Sequence, residues 1–427
     1  MGLRPGYKQS ELGVLPADWR VVPLGDLGKF KNGINKGGEA FGHGFPFVNL
    51  MDVFGVSSIG SCGALGLLQT SNDEQQAYDL RNGDVIFVRS SVKPSGVGLT
   101  ALVEKDLPRA VYSGFLIRFR DGGSLASGFK QHCFYENGFR RKLIGSSSVS
   151  ANTNISQDNL KRLLLAVPPT KAEQEAIAEA LSDADALIES LDQLIAKKRR
   201  LKQGAMQELL TGKKRLPGFS GVWAAKTFGE IFDYQSTATN SRSDLIDVGD
   251  TFYIHYGDIH TRFHDHLDFK VSQLPCIERS RCKNATLLQN GDWIMADASE
   301  DLDGVGKSIE VLGLDEGVAA VAGLHTFLLR EKAPTFSPGF KGHLGNLESL
   351  HQEFLRVVTG MKVFGVSKSA LKNLFLPVPS LKEQTAIATI LSDMDTEIAA
   401  LEAQLTKTRQ LKQGMMAELL TGRTRLV

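Results

Sequence analysis

The sequence predicts an α+β protein in which two similar, mixed β-rich domains are separated by two long helices. We expect these helices to pack as an antiparallel coiled coil with pseudo-two-fold symmetry. Three observations support this: a long segment occurs twice, both copies have helical composition, and apolar runs divided by glycine-rich turns precede each copy. The expected ranges are 1–167 for the first domain, 168–213 for the first helix, 214–377 for the second domain and 378–427 for the second helix.

The repeat is the strongest signal in the chain. The segment EQEAIAEALSDADALIESLDQLIAKKRRLKQGAMQELLTGKKRL begins at Glu173, and a related segment, EQTAIATILSDMDTEIAALEAQLTKTRQLKQGMMAELLTGRTRL, begins at Glu383. About 25 of 44 aligned positions are identical, far above chance for a duplication of long period. Fainter matches precede them: NGDVIFVRSS resembles NGDWIMADAS, and SGFLIRFR resembles AGLHTFLLR. The chain therefore consists of two copies that diverged in the domains and stayed alike in the helices.

Each copy of the repeat is predicted to be one long helix. The stretch from Lys171 to Leu210 lacks proline and is rich in Ala, Leu, Glu, Gln and Lys. Gly212 and Gly422 suit the left-handed position that ends a helix. Apolar residues alternate at spacings of four and three, which defines a helix–helix seam. The seam consists of Ile177, Leu181, Ala184, Ile188, Leu191 and Ile195 in the first copy and Ile387, Leu391, Met394, Ile398, Leu401 and Leu405 in the second.

Composition limits the class of protein without naming it. Hydrophobic residues make up 42% and charged residues 23%, as in globular proteins. No apolar run approaches the roughly 18 residues that a membrane span requires. Four scattered cysteines give no disulfide framework, so a reducing, cytoplasmic setting is expected. The net charge of +1 does not indicate a nucleic-acid binder, although local basic surfaces remain compatible with it.

The repeated motifs resemble the specificity subunit of type I restriction–modification systems. The resemblance is carried by the paired PP/P–x3–EQ–x2–IA–x2–L–x–D–x–D segments, Pro168 to Asp185 and Pro379 to Asp395. Both LKQGxMxELLTG endings, YIHYGDIHTRF at 253–263 and FGVSKSALKNLFLPVP at 364–379 add to it. It covers nearly the whole chain.

The resemblance implies a division of labour between subunits. Each β-rich domain would be a target recognition domain that reads one half of a bipartite target in double-stranded DNA, and the helices would fix the spacing. Two copies of a modification methyltransferase would bind S-adenosylmethionine and methylate adenine N6, and a restriction/translocase subunit would add cleavage. This chain would have no catalytic residues and no cofactor of its own.

Loop side chains that can bond to base edges or phosphates are the candidate DNA contacts. They are Lys31, Asn32, Lys36, Arg89, Ser90, Lys93, Asn152 and Asn154 in the first domain and His255, Tyr256, His260, Arg262, Lys307 and Lys362 in the second. For each one, an ordinary solvated loop residue is the competing interpretation. The basic residues near both helix ends have two interpretations, a phosphate-binding surface or a solvated face favourable near a helix C-terminus.

Other functions are less well supported. His255, His260, His264 and His266 lie near Cys276 and Cys282, but without CxxC or HExxH spacing no metal site is predicted. AVPP at 166–169 lacks the Asn or Asp and the aromatic residue of an adenine methyltransferase loop. The main alternative is a coiled-coil scaffold that binds only proteins.

Overall fold

A computed structural model describes residues 4–149 and 151–426. The chain divides into two compact units, and both boundaries fall inside the long helices. Unit 1 contains the residues up to Asp192 together with those from Ala403 onward, whereas unit 2 is the continuous stretch Gln193–Glu402. Each unit therefore contains one β-rich domain, the first half of the helix that follows it, and the second half of the other helix.

In the first half of the chain, short strands and helices precede one long helix. The strands are β1 Tyr7–Ser10, β2 Gly13–Pro16, β3 Arg20–Pro23, β4 Gly28–Asn32, β5 Phe41–Val48, β6 Ser58–Ile59, β7 Gly66–Leu68, β8 Val85–Val88, β9 Ser90–Ser91, β10 Thr100–Val103, β11 Val111–Tyr112, β12 Leu116–Asp121, β13 Ser148–Val149, β14 Thr153–Asn154 and β15 Leu164–Val167. The helices are α1 Leu24–Leu27, α2 Asn72–Ala77, α3 Ser127–Cys133, α4 Asn137–Gly145, α5 Gln157–Arg162 and α6 Lys171–Leu209.

The second half repeats this layout. The strands are β16 Ala224–Thr227, β17 Phe232–Gln235, β18 Thr251–Ile254, β19 His266–Asp268, β20 Cys276–Ile277, β21 Trp293–Ala296, β22 Ala298–Ser299, β23 Ser308–Leu312, β24 Ala320–Ala322, β25 Thr326–Glu331, β26 Phe364–Gly365 and β27 Phe375–Val378. The helices are α7 Phe228–Ile231, α8 Tyr256–Thr261, α9 Phe340–Leu344, α10 Glu348–Val357, α11 Lys368–Leu371 and α12 Leu381–Leu419.

The same mixed five-stranded sheet organises both units. Its order is β4-β12-β8-β10-β6 in unit 1 and β17-β25-β21-β23-β19 in unit 2, with one parallel pair at the same edge. The central strands are apolar, partly β-branched runs such as VIFV and WIMA, and they are buried throughout. A three-stranded sheet containing a parallel pair accompanies it in each unit, β11-β5-β7 and β20-β18-β24. The predicted α+β class is confirmed, as is the similarity of the two halves.

The repeated NGD sequence forms a tight turn before the central strand. Gly83 and Gly291 have φ of 84° and 85°, which a residue with a Cβ adopts only with strain. The carboxylate after each glycine is almost fully buried and pairs with an arginine on the neighbouring strand. Asp84 lies 2.6 Å from Arg120, and Asp292 lies 2.6 Å from Arg330. The motif is therefore explained by the fold.

A second repeated motif, GFKxH, occurs in both domains and in unit 1 contacts the long helix. It spans 128–132 and 339–343, and the sequence analysis overlooked it. The ammonium of Lys130 donates to the carbonyl of Gly83 at 2.7 Å, and His132 lies 3.1 Å from the Ser182 hydroxyl on α6. In unit 2 the corresponding His343 contacts Asp265 instead.

The EQ pair that begins each long helix has two structural roles. The Glu173 carboxylate accepts from Arg425 at 2.7 and 2.8 Å and from the Trp19 indole at 3.3 Å. Gln174 accepts from the backbone of Ala126 and donates to the carbonyl of Pro168. The glutamate thus holds the segment that follows the other long helix, and the glutamine holds its own domain.

Unit 2 repeats these contacts. Glu383 accepts from Arg215 at 2.5 and 2.7 Å and from the Trp223 indole at 3.0 Å. Gln384 accepts from the backbone of Ser337 and donates to the carbonyl of Pro379. Both glutamates are at most 4% exposed, so each negative charge depends on its arginine.

The long helices α6 and α12 have 39 residues each and run antiparallel within each unit. In unit 1, Lys412 pairs with Asp185, and Arg409 lies 2.9 Å from Asp192. The matching pairs in unit 2 are Lys202 with Asp395 at 2.6 Å and Arg199 with Glu402 at 2.5 Å. Gly212 and Gly422 have φ of 67° and 66°, which confirms the predicted helix ends.

Most of the predicted seam residues lose their exposure to solvent. Ile177, Leu181, Leu191, Ile195, Ile387, Leu391, Ile398 and Leu405 are buried, and Ala184, Ile188, Met394 and Leu401 are partly buried. The first two seam positions of each helix also join the core of their unit, beside the last turn of the other helix, which includes Leu419 in unit 1 and Leu209 in unit 2. Within the described residues, no helix is both long and apolar enough to cross a membrane.

A buried carboxylate fastens the second domain to the helices of unit 2. Asp265 accepts from Lys202 at 2.6 Å, from His343 at 2.9 Å and from the Asn346 amide. Burial opposes its ionisation, but the hydrogen bond and charge of His343 and the charge of Lys202 outweigh that effect and hold the pKa of Asp265 well below its usual range. In unit 1 the corresponding lysine, Lys412, pairs with Asp185 and, among the residues that the structure describes, with no second carboxylate.

We expect Arg425→Met to lower the free energy of unfolding by about 2–3 kcal/mol, because it leaves the Glu173 carboxylate buried without a cation. Denaturant unfolding of the full chain measures this. Arg423→Met is the matched control, since Arg423 is 63% exposed and faces an exposed glutamate; its effect should stay below about 0.5 kcal/mol. Equal effects of the two variants would contradict the role given to Glu173.

We expect the contribution of Asp265 to stability to depend on pH. Because its pKa is lower in the folded state than the ordinary 3.8, this contribution is complete at pH values above about 4 and is lost as the pH falls further. The stability difference between the natural chain and Asp265→Asn should therefore shrink as the pH falls below about 4. A difference that grows on acidification would show the opposite sign of linkage.

Candidate DNA-reading surfaces

The candidate residues of unit 1 converge where strand β8 leaves the five-stranded sheet. Arg89 occupies the one-residue break between β8 and β9, and its guanidinium donates to the carbonyl of Gly114 at 3.2 Å. Ser90 is buried and pairs with Asn154 of β14. Lys93 is exposed just beyond β9. Arg89, Ser90 and Lys93 are thus close in sequence, and Ser90 joins them to Asn154 through strand pairing.

The other four candidates of unit 1 are engaged within the unit. Lys31 donates to the carbonyl of Ala77 at 2.6 Å, and its ammonium lies 4.6 Å from the ring centre of Tyr78. Lys36 forms an ion pair of 2.6 Å with Glu74. Asn32 lies in β4, and the carbonyl of Asn152 accepts from the Asn154 amide.

In unit 2, three of the candidates lie on or beside the short helix α8. His255 precedes the helix and accepts from the backbone of Gly257 at 3.0 Å. Burial and the charge of Arg242 lower the pKa of His255. Tyr256 contacts His255 and His260 with ring-centre distances of 4.6 and 6.1 Å. The result is a partly exposed patch of aromatic and imidazole rings.

The remaining candidates of unit 2 border this patch or lie apart from it. The Lys307 ammonium donates to the carbonyl of His260 at 3.3 Å, and the His260 ring lies 3.0 Å from the carbonyl of Ala298. Arg262 is exposed and donates to the carbonyl of Gln273. Lys362 is exposed on the turn before β26.

Two residues that the sequence analysis passed over complete the patch. His325 lies 5.4 Å from Tyr256 between ring centres, and its Nδ1 lies 3.4 Å from the Asp297 carboxylate. His325 has φ of 57°, a left-handed conformation that is uncommon for residues other than glycine, although histidine adopts it more readily than most. Aligning the two NGD repeats would have placed Asp297 opposite Arg89, so the sequence did contain a signal.

The described residues contain one group with the spacing of metal ligands, namely Asp265, His266 and His343. The ammonium of Lys202 already lies 2.6 Å from the Asp265 carboxylate that a cation would need. The histidines singled out in the sequence do not converge, since His260 faces Ala298 and His266 faces the carbonyl of Gly339. This arrangement is that of a charge-balanced structural cluster.

The basic helix residues are largely occupied by acidic partners within their own unit. Lys198, Arg199, Lys202 and Arg215 pair in unit 2, and Arg409, Lys412 and Arg425 pair in unit 1. These contacts favour a structural role over phosphate binding for these seven residues.

Comparison with known proteins gives one consistent result. The family model described as the type I restriction modification DNA specificity domain matches residues 16–197 and again 221–411. A putative type I restriction enzyme specificity subunit of Methanocaldococcus jannaschii, MjaX, is 24% identical over 98% of this chain and 97% of the relative. The MjaVIII specificity subunit of the same organism is 22% identical over 96% and 94%.

Solved structures share the fold at low sequence identity. The S subunit of a type I restriction–modification system from M. genitalium superposes with a TM-score of 0.54 at 14% identity, covering 98% of both chains. A chain from a structure on complex assembly and conformational transition of the type I R-M system gives 0.57 at 18% identity, covering 96% of this chain and 99% of its own length. Because the family model matches both halves, the chain belongs to the type I restriction–modification DNA specificity family.

Proposed function

We propose that this chain reads a bipartite target in double-stranded DNA, one half through each unit, and directs methylation of adenine N6 by partner subunits. The observation that carries the proposal is the contrast between framework and surface. The sheet order, the NGD turn and the EQ contacts are the same in both units, whereas the surface beside β8 and β21 differs. Two equal frameworks with unequal surfaces suit the reading of two different half-sites.

The chemistry of methylation is assigned to the partners. The candidate surfaces offer side chains that can bond to base edges, among them Arg89 and Tyr256, whereas the AVPP segment lies at the end of β15 and leads into α6. S-adenosylmethionine would bind the methyltransferase subunit, and a restriction/translocase subunit, where one joins, would cleave. If the complex shows no selectivity for a DNA sequence, the alternative function, a coiled-coil scaffold that binds only proteins, takes the place of this proposal.

Two copies of the methyltransferase are expected because the chain offers one docking position in each unit. Gly204 and Gly414 lie inside α6 and α12, where a glycine costs about 1 kcal/mol relative to alanine. A Cβ at either position would meet no atom within 4 Å, so packing within the described chain does not require glycine. Leu201 and Leu411, one turn earlier, are 52% and 61% exposed. A partner helix in close contact would account for both glycines and both leucines.

We expect deletion of this chain to abolish N6-methyladenine at one split motif in cells that keep the methyltransferase. Base-resolution methylome sequencing, with and without the chain, measures this. Exchange of residues 216–376 for the corresponding segment of a relative should change one half of the motif and leave the other half intact. Unchanged methylation, with the two proteins still associated, would favour the scaffold.

We expect Gly204→Leu and Gly414→Leu each to remove one methyltransferase copy, and the double variant to remove both. The side chain fills open space and favours the helix, so the thermal midpoint of the free chain should hold or rise. Native mass spectrometry of the purified complex counts the copies, and each single variant serves as the control for the other. Full occupancy in the double variant would place the docking surface elsewhere.

A further inference from the structure

We propose that one position in each unit reads a G·C pair with opposite chemistry: Arg89 bonds to guanine, and Asp297 bonds to cytosine in the other half-site. The inference rests on the proposed function and names two specificity-determining residues within it. We call Arg89 and Asp297 the crossing residues, because at each of them a strand of the five-stranded sheet passes into a smaller sheet.

The backbone of the crossing residue in unit 1 is fixed on both sides. Strand β8 ends at Val88, and β9 begins at Ser90. The N–H of Arg89 donates to the carbonyl of Phe115 at 2.8 Å, and its carbonyl accepts from the N–H of Ile155 at 3.0 Å. Three segments of the unit therefore meet at this residue.

Unit 2 has the same arrangement. Asp297 separates β21 from β22, its N–H donates to the carbonyl of His325 at 3.1 Å, and its carbonyl accepts from the N–H of Val366 at 3.1 Å. The two positions thus have the same backbone partners and the same partial exposure, but side chains of opposite charge.

The difference in charge is not required by the fold. Five residues earlier in each unit, the buried carboxylate of the NGD turn, Asp84 or Asp292, is the same because the fold depends on its ion pair. At the crossing residue the backbone hydrogen bonds correspond in the two units, whereas the side-chain contacts differ, Arg89 with the carbonyl of Gly114 and Asp297 with His325. The backbone position is therefore kept while the side chain varies. A position with a fixed backbone and a variable side chain is suited to reading a base edge, since precise placement is what a specific contact needs.

The guanidinium of Arg89 has donors to spare. One N–H donates to the carbonyl of Gly114, and within the described part of the chain no carboxylate lies at ion-pair distance from it. Its planar fork matches the O6 and N7 acceptors of guanine in the major groove. Phe115, whose carbonyl accepts from the N–H of Arg89, is 55% exposed, and its ring can meet a thymine methyl or a neighbouring base.

A carboxylate on a DNA-facing surface needs a specific reason, because it is repelled by phosphates. Asp297 is an acceptor whose side chain is 30% exposed, and its carboxylate lies 3.4 Å from Nδ1 of His325. Burial raises the pKa of Asp297, and the charges of His325 and Lys368 oppose that rise. The N4 amino group of cytosine is the base-edge donor that a carboxylate recognises. An exposed aspartate–histidine pair by itself stabilises a fold only slightly.

The proposal predicts the composition of the target before any substitution is made. The methylome of cells containing the natural chain and its methyltransferase should show a two-part motif with at least one G·C pair in each half. A two-part motif in which either half consists only of A·T and unspecified positions would overturn the assignment while leaving the proposed function intact.

The decisive experiment uses the purified complex of this chain with the methyltransferase. Its affinity is measured for a set of DNA duplexes in which each motif position carries each of the four base pairs in turn. Arg89→Gln should reduce the preference for one G·C pair about 10-fold or more in one half-site, and Asp297→Asn should do the same in the other half-site. The other positions should keep their preferences. Lys105→Gln and Asp315→Asn, both exposed and remote in sequence from the crossing residues, are the matched controls.

Each alternative outcome has a definite meaning. Full discrimination at every position in both variants would overturn the inference and leave bipartite reading in place. A uniform loss of affinity across all base pairs would also overturn it, because it would indicate phosphate contacts. Arg89→Lys and the isosteric Asp297→Asn should keep the thermal midpoint of the chain and its association with the methyltransferase. These two measurements distinguish a loss of base discrimination from a loss of folding. A natural complex with no preferred target would instead overturn the proposed function.

Discussion

Each long helix has in its first turn a glutamate that is held by an arginine from the segment that follows the other long helix. In unit 1 this is Glu173 with Arg425, and in unit 2 it is Glu383 with Arg215. The rest of the architecture depends on this tie, because it fixes the antiparallel register of the helix halves inside each unit. The tryptophan that also donates to each glutamate, Trp19 or Trp223, brings the start of the domain to the same point. Domain, helix start and helix end therefore meet at one buried charge.

The ion pairs along the helices extend the same register. Lys412 with Asp185 in unit 1 corresponds to Lys202 with Asp395 in unit 2, so the two units use one set of contacts. Their difference lies in what the domain adds. In unit 2, Lys202 also contacts Asp265 of the domain, and Asp265 in turn contacts His343. In unit 1, the domain places His132 near Asp185. The contacts between the helices are thus the same in both units, and the contacts between each domain and the helices differ.

The sequence predicted the long helices well, because their signals are local: composition, apolar spacing and a terminal glycine. It predicted the likeness of the two domains through the NGD repeat. It did not predict the ties of Glu173 and Glu383, because these depend on which residues an antiparallel pair brings together over a long sequence distance. The candidate DNA contacts depend on residue type alone. Residue type includes Lys31, although the ammonium of Lys31 lies over the ring of Tyr78. The same criterion passes over Asp297, because an acid next to DNA is unexpected until its partners are known.

The composition of the units also bears on the order of events during synthesis. Unit 2, which contains the second domain, is continuous in sequence from Gln193 to Glu402. Unit 1 begins at the start of the chain but needs the residues after Ala403 to supply Arg425 and the buried Leu419 and Leu420. The first domain therefore leaves the ribosome before the second but is completed after it, and the Glu173 carboxylate waits for its cation until the whole of unit 2 has been synthesised.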